Sequence, residues 1–148
     1  MSDASGSAGV PLLLLDTHTL IWLTEGSRKL GEGAKDALRV AYREDRSIVS
    51  AITPWEIGIL VSKGRLILGQ DVLLWLRVAL GVSGLRLIPL EPEIAVASTR
   101  LPFEMHADPA DRILVATARH LGAMLVTADQ PLLELARQGH FHALDATN

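Results

Sequence analysis

Short apolar runs alternate along the chain with longer segments in which apolar residues recur every three or four positions. The runs predict strands, and the helical period of the longer segments predicts helices. Strands that alternate with helices indicate a parallel sheet covered on both faces. We therefore predict an α/β fold of three layers, α/β/α, with a central parallel sheet of four to five strands. The predicted strands are residues 12–15, 47–51, 85–90 and 123–127, with a weaker fifth at 140–144, and the predicted helices are residues 19–24, 33–43, 54–63, 72–80, 94–100, 110–120 and 131–137.

The length of the chain favours one domain. A chain of 148 residues is long enough to bury a core of its own. We predict a flexible N-terminal tail at residues 1–10, where small and polar residues dominate, and a single domain at residues 11–148. The start lacks the basic segment and long apolar run of a signal peptide, and the run at 12–15 is too short to span a membrane. We therefore expect a cytoplasmic protein with no membrane contact.

The composition excludes several kinds of chemistry. The chain has no cysteine, which rules out disulfides, thiolate metal sites and a cysteine nucleophile, and which fits a reducing cytosol. The formal net charge is −3, whereas a protein that only coats nucleic acid is normally basic. Any positive surface that meets nucleic acid must therefore be local.

Four acidic residues follow or precede the predicted strands in a consistent way. Asp16 directly follows the first strand, Glu56 lies just past the second, and Asp129 follows the fourth. Asp111 opens the helix that leads into the fourth strand. In an open parallel sheet, ligands bind outside the carboxyl ends of the strands. We therefore expect these residues, called here the four acids, to meet at that edge.

Helix capping is an alternative role for each of these acids. Thr53-x-x-Glu56 has the form of a capping box, with Pro54 at the favoured first helical position. Asp108 and Asp111 form a similar pair, and acids are favoured at helix N-termini by the helix dipole. The coincidence of four such acids at one edge favours a site, because clustered carboxylates repel one another unless a cation is bound.

An oxygen-only cluster favours a hard divalent cation. Mg²⁺ prefers oxygen ligands and retains several waters. The sequence offers neither cysteine nor a close pair of histidines for zinc. A cation at such a site activates water and stabilises an in-line displacement at phosphorus, so that no covalent intermediate with the protein is needed.

Four segments together resemble the PIN-domain family. They are LLDTHTLIW at 14–22, the segment 50–66 with WEI at 55–57 and KGRL at 63–66, HADPADRILVA at 106–116, and LVTAD at 125–129. The blocks occur in the family's order and the resemblance extends from about residue 12 to residue 144. Ala110 stands where many relatives carry an aromatic residue, which leaves the acids intact.

Within that family the chain looks most like the VapC toxins of bacterial type II toxin–antitoxin pairs. The resemblance implies the PIN arrangement of the sheet and a Mg²⁺- or Mn²⁺-dependent endoribonuclease that cleaves cellular RNA, often tRNA or rRNA. It also implies a homodimer and a small antitoxin partner. Carried over by the matching blocks, the metal-site and catalytic residues are Asp16, Glu56, Asp111 and Asp129.

Five further residues are candidates for supporting roles. Thr127 could hold a water or orient a carboxylate, although threonine is also an ordinary strand residue. Asp108 could hold a water or orient Arg112, and Arg112 could contact phosphate or a neighbouring acid. Lys63 and Arg65 could bind RNA phosphates, or simply place cations at a helix C-terminus.

Aromatic residues and histidine are expected mainly in packing roles. His18 follows Asp16 and could touch substrate, but packing in the first turn of its helix is the favoured expectation. Trp22, Trp55 and Trp75 fall on apolar helical faces and are expected in the core, with a groove for an antitoxin helix or a dimer contact as alternatives.

The same residues are compatible with two other classes of function. A metal-dependent phosphatase or a DNA nuclease could use the same four acids. A non-catalytic or degenerate PIN module could bind a cation or a partner without cutting, although such a module would be expected to have lost an acid. The RNA target is not readable from the sequence.

Overall fold

The computed structural model describes residues 9–81 and 84–148, so that most of the predicted tail lies outside the described residues. Every predicted strand and helix is present, with each boundary displaced by two residues or fewer. Within the described ranges the strands are β1 (Leu13–Leu15), β2 (Ser47–Ser50), β3 (Leu85–Ile88), β4 (Met124–Thr127) and β5 (His142–Asp145). The helices are α1 (Thr17–Glu25), α2 (Glu32–Arg43), α3 (Ile52–Ser62), α4 (Val72–Leu80), α5 (Pro92–Thr99), α6 (Pro109–Leu121) and α7 (Gln130–Arg137).

The five strands form one parallel sheet in the order β3-β2-β1-β4-β5. The chain moves outward from β1 through β2 to β3, and then returns to the other side of β1 to add β4 and β5. The order therefore reverses between β1 and β4. In sheets of this kind the crevice at the carboxyl ends of these two strands is where ligands bind.

The central strands are buried because helices cover both faces of the sheet. On β1, Leu13 and Leu15 point to one face and pack in a core that includes Leu38 and Trp75. Leu14 points to the other face and packs in a core that includes Leu114. This alternation follows from the two-residue period of a strand, and it confirms the predicted three-layer α/β/α fold.

The prediction that all three tryptophans belong to the core is wrong for Trp55. Trp75 is buried, and its indole Nε1–H donates to Glu25 at 2.8 Å, whereas Trp55 is 52% exposed. On α3 the buried residues are Thr53 and Ile57, four positions apart. Residues with that spacing share one helical face, and Trp55 between them lies on the opposite side.

The helices are short. Among the described residues, no helix has both the length and the apolar character needed to cross a lipid bilayer.

Candidate active site

Asp16 lies where β1 ends and α1 begins, and its carboxylate is held on both sides. Its Oδ1 accepts the backbone N–H of Thr17 at 2.7 Å, which makes Asp16 the N-cap of α1. Its Oδ2 accepts the hydroxyl of Thr127 at 2.6 Å. The side chain is only 8% exposed, so these donors replace water around most of the carboxylate.

Thr127, at the end of β4, joins the two strand-end aspartates. Its buried hydroxyl donates to Asp16, and the same oxygen accepts the backbone N–H of Asp129 at 3.1 Å. Asp129 in turn caps α7, because its Oδ1 accepts the N–H of Leu132 at 3.2 Å. The neighbouring ends of β1 and β4 are therefore linked through side chains as well as through the sheet.

Glu56 does not take part in the predicted capping box. Helix α3 begins at Ile52, whose N–H donates to the hydroxyl of Ser50 at 3.1 Å. Thr53 is therefore already inside the helix, where it is buried, and its hydroxyl has no hydrogen-bond partner among the described residues. The carboxylate of Glu56 instead accepts the hydroxyl of Thr17 at 2.5 Å, a contact 39 residues away in sequence.

Asp108, Asp111 and His106 form a connected group at the start of α6. Asp108 is the N-cap, and its Oδ1 accepts the N–H of Asp111 at 3.0 Å. The Nδ1 of His106 accepts the N–H of Asp108 at 3.3 Å, so in a neutral imidazole the proton resides on Nε2. That nitrogen lies 3.3 Å from Oδ2 of Asp111.

Of the two contacts predicted for Arg112, the one with a neighbouring acid is absent among the described residues. Its guanidinium donates to the backbone oxygens of Ser98 at 2.8 Å, Met105 at 3.3 Å and His106 at 3.4 Å. Among the residues that the structure describes, it makes no ion pair with Asp108 or with any other acid. The loop before α6 has carbonyl groups that need donors, and Arg112 supplies them.

Together the four acids line one open cleft of about 390 Å³, called here the acid cleft. Asp108 also lines it, as do Ala128, His18 and Trp22. The expectation that His18 packs against the protein is wrong, since its side chain is exposed at the cleft. Lys63 and Arg65, at the end of α3, are exposed and lie outside the residues that line the cleft.

The sequence pattern does not reveal two features of the site. Thr17 contacts both Asp16 and Glu56, and Trp22, expected in the core, lines the cleft. Thr17 and Glu56 are far apart in sequence, so no spacing pattern connects them. The only available signal was that Thr17 directly follows a strand-end acid.

Burial raises the pKa of Asp16 and of Glu56. For Asp16, the hydrogen bonds from Thr127 and Thr17 oppose this effect, whereas the charge of Asp129 adds to it. For Glu56, the hydrogen bond from Thr17 again lowers the pKa, and repulsion by Asp16 raises it. The two threonines therefore stabilise carboxylates whose ionised forms are otherwise unfavourable.

The pKa of Asp111 is raised as well. Burial, followed by repulsion from Asp16, Asp108, Asp129 and Glu56, raises the pKa of Asp111 to about 8. Clustered acids of this kind do not all ionise readily at neutral pH, because each charge disfavours the next.

The donor set of the acid cleft fits a hard divalent cation. The candidate ligands are carboxylate oxygens, and Mg²⁺ usually combines one or two such ligands with several waters. Within residues 9–81 and 84–148, no three acidic or histidine side chains are grouped closely enough to hold one ion as they stand. Among the described residues, Asp16 accepts hydrogen bonds from the protein at both carboxylate oxygens, whereas Glu56 and Asp129 each accept at one.

Comparison with known proteins identifies the family. The PIN domain model matches residues 13–138. The chain is 33% identical over 120 residues to ribonuclease VapC22 of Mycobacterium tuberculosis, across 81% of this chain and 88% of the relative.

Two solved structures share the fold. One is VapBC2 from Rickettsia felis bound to a DNA fragment from its promoter, with a TM-score of 0.64 and 17% identity, covering 89% of this chain and 96% of that chain. The other is a toxin–antitoxin complex from Klebsiella pneumoniae, with a TM-score of 0.54 and 26% identity, covering 80% of this chain and 87% of that chain. Since the family model spans most of the chain and the VapC22 relative exceeds 30% identity over most of it, the chain belongs to the PIN-domain family.

Proposed function

We propose that this protein is a Mg²⁺- or Mn²⁺-dependent endoribonuclease and the toxin of a VapBC-like toxin–antitoxin pair. The observation that carries the proposal is the acid cleft, in which all four acids are present and the pKa of Asp111 is raised to about 8. The similarity to a protein named as a ribonuclease supports the same activity.

In this proposal Asp16, Glu56, Asp111 and Asp129 hold the cation. A divalent cation bound there supplies positive charge next to the phosphate and acidifies water. Thr127 keeps the Asp16 carboxylate turned toward the end of β4. Burial and the neighbouring acids raise the pKa of Asp111 to about 8, and a cation bound in the cleft would lower it.

The shape of the cleft favours a polymer over a small phosphate ester. Pockets for small molecules enclose most of the ligand surface, whereas the acid cleft is open to solvent along one side. A nucleic acid strand can lie across such a cleft while one phosphodiester reaches the acids. The exposed His18 and the partly exposed Trp22, with ring centroids 6.3 Å apart, offer a surface against which a base can stack.

The partner in this proposal is a small antitoxin protein. The Klebsiella pneumoniae relative was solved as a toxin–antitoxin complex. Trp55 is half exposed on α3, and tryptophan is enriched at protein–protein interfaces. We extend the proposal to a homodimer in the cytoplasm, to a single domain at residues 11–148, and to tRNA or rRNA as the substrate.

The test is cleavage by the purified protein of tRNA and rRNA, with DNA of matched sequence alongside. Cleavage of RNA is expected with Mg²⁺ or Mn²⁺, and no cleavage is expected with chelator. Asp111→Asn and Asp16→Asn should abolish cleavage, whereas Asp36→Asn is the matched control, because Asp36 is a surface acid that pairs with Arg39.

Each other outcome points to a different function. Cleavage that survives in Asp111→Asn or Asp16→Asn contradicts the assignment of the four acids. Cleavage of DNA alone, or hydrolysis of a small phosphate ester, favours the alternative enzymes. Binding of Mn²⁺ without any cleavage favours a non-catalytic module.

A further inference from the structure

Thr17 lies between two of the four acids and contacts both. Its backbone N–H donates to Oδ1 of Asp16 at 2.7 Å, and its hydroxyl donates to Oε1 of Glu56 at 2.5 Å. Thr17 is fully buried, as is its contact with Asp16, whereas its contact with Glu56 is partly buried. A single residue of α1 therefore sets the position of a strand-end acid relative to an acid on α3.

We propose that Thr17 is a positioning residue, whose hydroxyl holds the Glu56 carboxylate in the orientation that a divalent cation requires. The inference rests on the proposed metal site. Thr17 itself has no contact with the cation or the substrate, and it acts through Glu56.

The side chain of Glu56 needs such a partner. Glutamate has several rotatable bonds, and a half-buried glutamate without a partner samples many rotamers. A hydrogen bond to a charged carboxylate is short and strong, as this one is. The bond occupies Oε1, and among the described residues no donor reaches Oε2, which leaves that oxygen available to a cation or its waters.

Thr127 has the equivalent place on the other side of Asp16, where it donates to Oδ2. The two threonines thus orient neighbouring acids from opposite sides of the same strand end.

The experiment is calorimetric titration of the full chain with Mn²⁺, comparing wild type with Thr17→Val and Thr17→Ser. Valine keeps the shape of threonine and removes the hydroxyl, and it leaves the backbone bond to Asp16 intact. We expect Thr17→Val to weaken Mn²⁺ binding roughly 10- to 100-fold, as is typical when a residue that orients a metal ligand is lost. Thr17→Ser should bind nearly as well as wild type.

Thr19→Val is the matched control. Thr19 is also buried on α1, and its hydroxyl donates to the backbone oxygen of Val126 at 2.7 Å, with no acid involved. Its loss should lower the melting temperature while leaving Mn²⁺ affinity unchanged. If Thr17→Val does not fold, Thr17→Ala is measured in the same way.

A double-mutant cycle tests whether Thr17 acts through Glu56. In a Glu56→Gln background, Thr17→Val should weaken binding much less than it does alone, because the carboxylate that it orients has already been removed. An equal loss in both backgrounds, unchanged affinity in Thr17→Val, or tighter binding in that variant would each overturn the inference. If wild type itself binds no Mn²⁺, the proposed metal site fails, and the role of Thr17 fails with it.

Discussion

Replacing Asp111 with asparagine should stabilise the metal-free protein at neutral and alkaline pH. Burial, and then repulsion from the neighbouring acids, raises the pKa of Asp111 from its ordinary value of 3.8 to about 8. The ionised carboxylate is therefore unfavourable in the fold. Asparagine has nearly the same shape and carries no charge, so it removes this penalty while keeping an oxygen that can accept from His106.

The direction in which stability changes with pH follows from the number of protons that the folded and unfolded states bind. The unfolded chain releases the Asp111 proton near pH 4, whereas the folded chain keeps it until about pH 8. Between these values the folded state binds more protons, so its stability falls as the pH rises. The contribution of Asp111 to folding stability is fully present below pH 4. It is lost as the pH rises through the pKa of the folded state, about 8.

The stability gained by Asp111→Asn has an upper limit and an expected value. A shift of one pKa unit corresponds to about 1.4 kcal/mol, so a rise of about four units sets a ceiling of about 6 kcal/mol. The acids of the cleft share their protons, and removing one charge relieves only part of the repulsion. We expect a gain of ~2 kcal/mol at pH 8, which for a domain of this size raises the melting temperature by ~4–8 °C.

The assay is thermal unfolding of wild type and Asp111→Asn between pH 4 and pH 8.5, with chelator present. The difference in melting temperature should be near zero at pH 4 and should grow with pH. Excess Mn²⁺ should raise the melting temperature of wild type more than that of the variant, because a ligand stabilises the state that binds it. Asp36→Asn, at the exposed surface acid, should show no such trend. A difference that is independent of pH, or an Asp111→Asn variant that is less stable than wild type at pH 8, would refute the electrostatic account of the cleft.

Three further predictions concern the fold. Gly31→Ala should cost about 1–3 kcal/mol, because an added Cβ would overlap the backbone oxygen of Asn148. Gly58→Ala, in open space within α3, should gain about 0.5–1 kcal/mol. A melting temperature of Gly31→Ala at or above that of wild type would contradict the first prediction, and one of Gly58→Ala below wild type would contradict the second. Arg112→Ala should lower stability by about 1–3 kcal/mol and speed amide exchange in the loop before α6, since three carbonyls lose their donor; unchanged exchange would show that the loop is held by other contacts. Trp75→Phe should cost at least about 1 kcal/mol in urea unfolding, because it removes a buried indole hydrogen bond, and an unchanged midpoint would exclude that bond as a source of stability.

The fold could be predicted because its main signals are repeated along the chain. Most strands are short apolar runs, and α2, α6 and α7 show a clear helical period, so an error in one element does not affect the others. The convergence of the four acids could also be predicted, since it needs only the rule that parallel strands share one edge. Asp16 and Asp129 follow neighbouring strands in the sheet, and the acid cleft lies beside them.

Contacts between distant segments could not be predicted. Thr53-x-x-Glu56 fits the capping-box pattern, but the hydroxyl of Ser50 accepts the N–H of Ile52, and the helix begins two residues earlier than that pattern requires. Glu56 then bonds to Thr17, which no local pattern identifies. The position of Trp55 was missed for a related reason. Apolar residues occur all around α3, so the sequence does not indicate which face is buried.

Helix capping and metal binding, which the sequence presents as alternatives, are compatible in this cleft. Asp16, Asp108 and Asp129 cap α1, α6 and α7, and the positive ends of these three helices all face the cleft. In Asp108 and in Asp129, one carboxylate oxygen accepts a backbone N–H of the helix that it caps. The other oxygen accepts no hydrogen bond from the described residues. The helix ends offset part of the clustered negative charge, yet the pKa of Asp111 is still raised to about 8. Capping alone therefore does not balance this arrangement, and the charge that remains is what a divalent cation would neutralise.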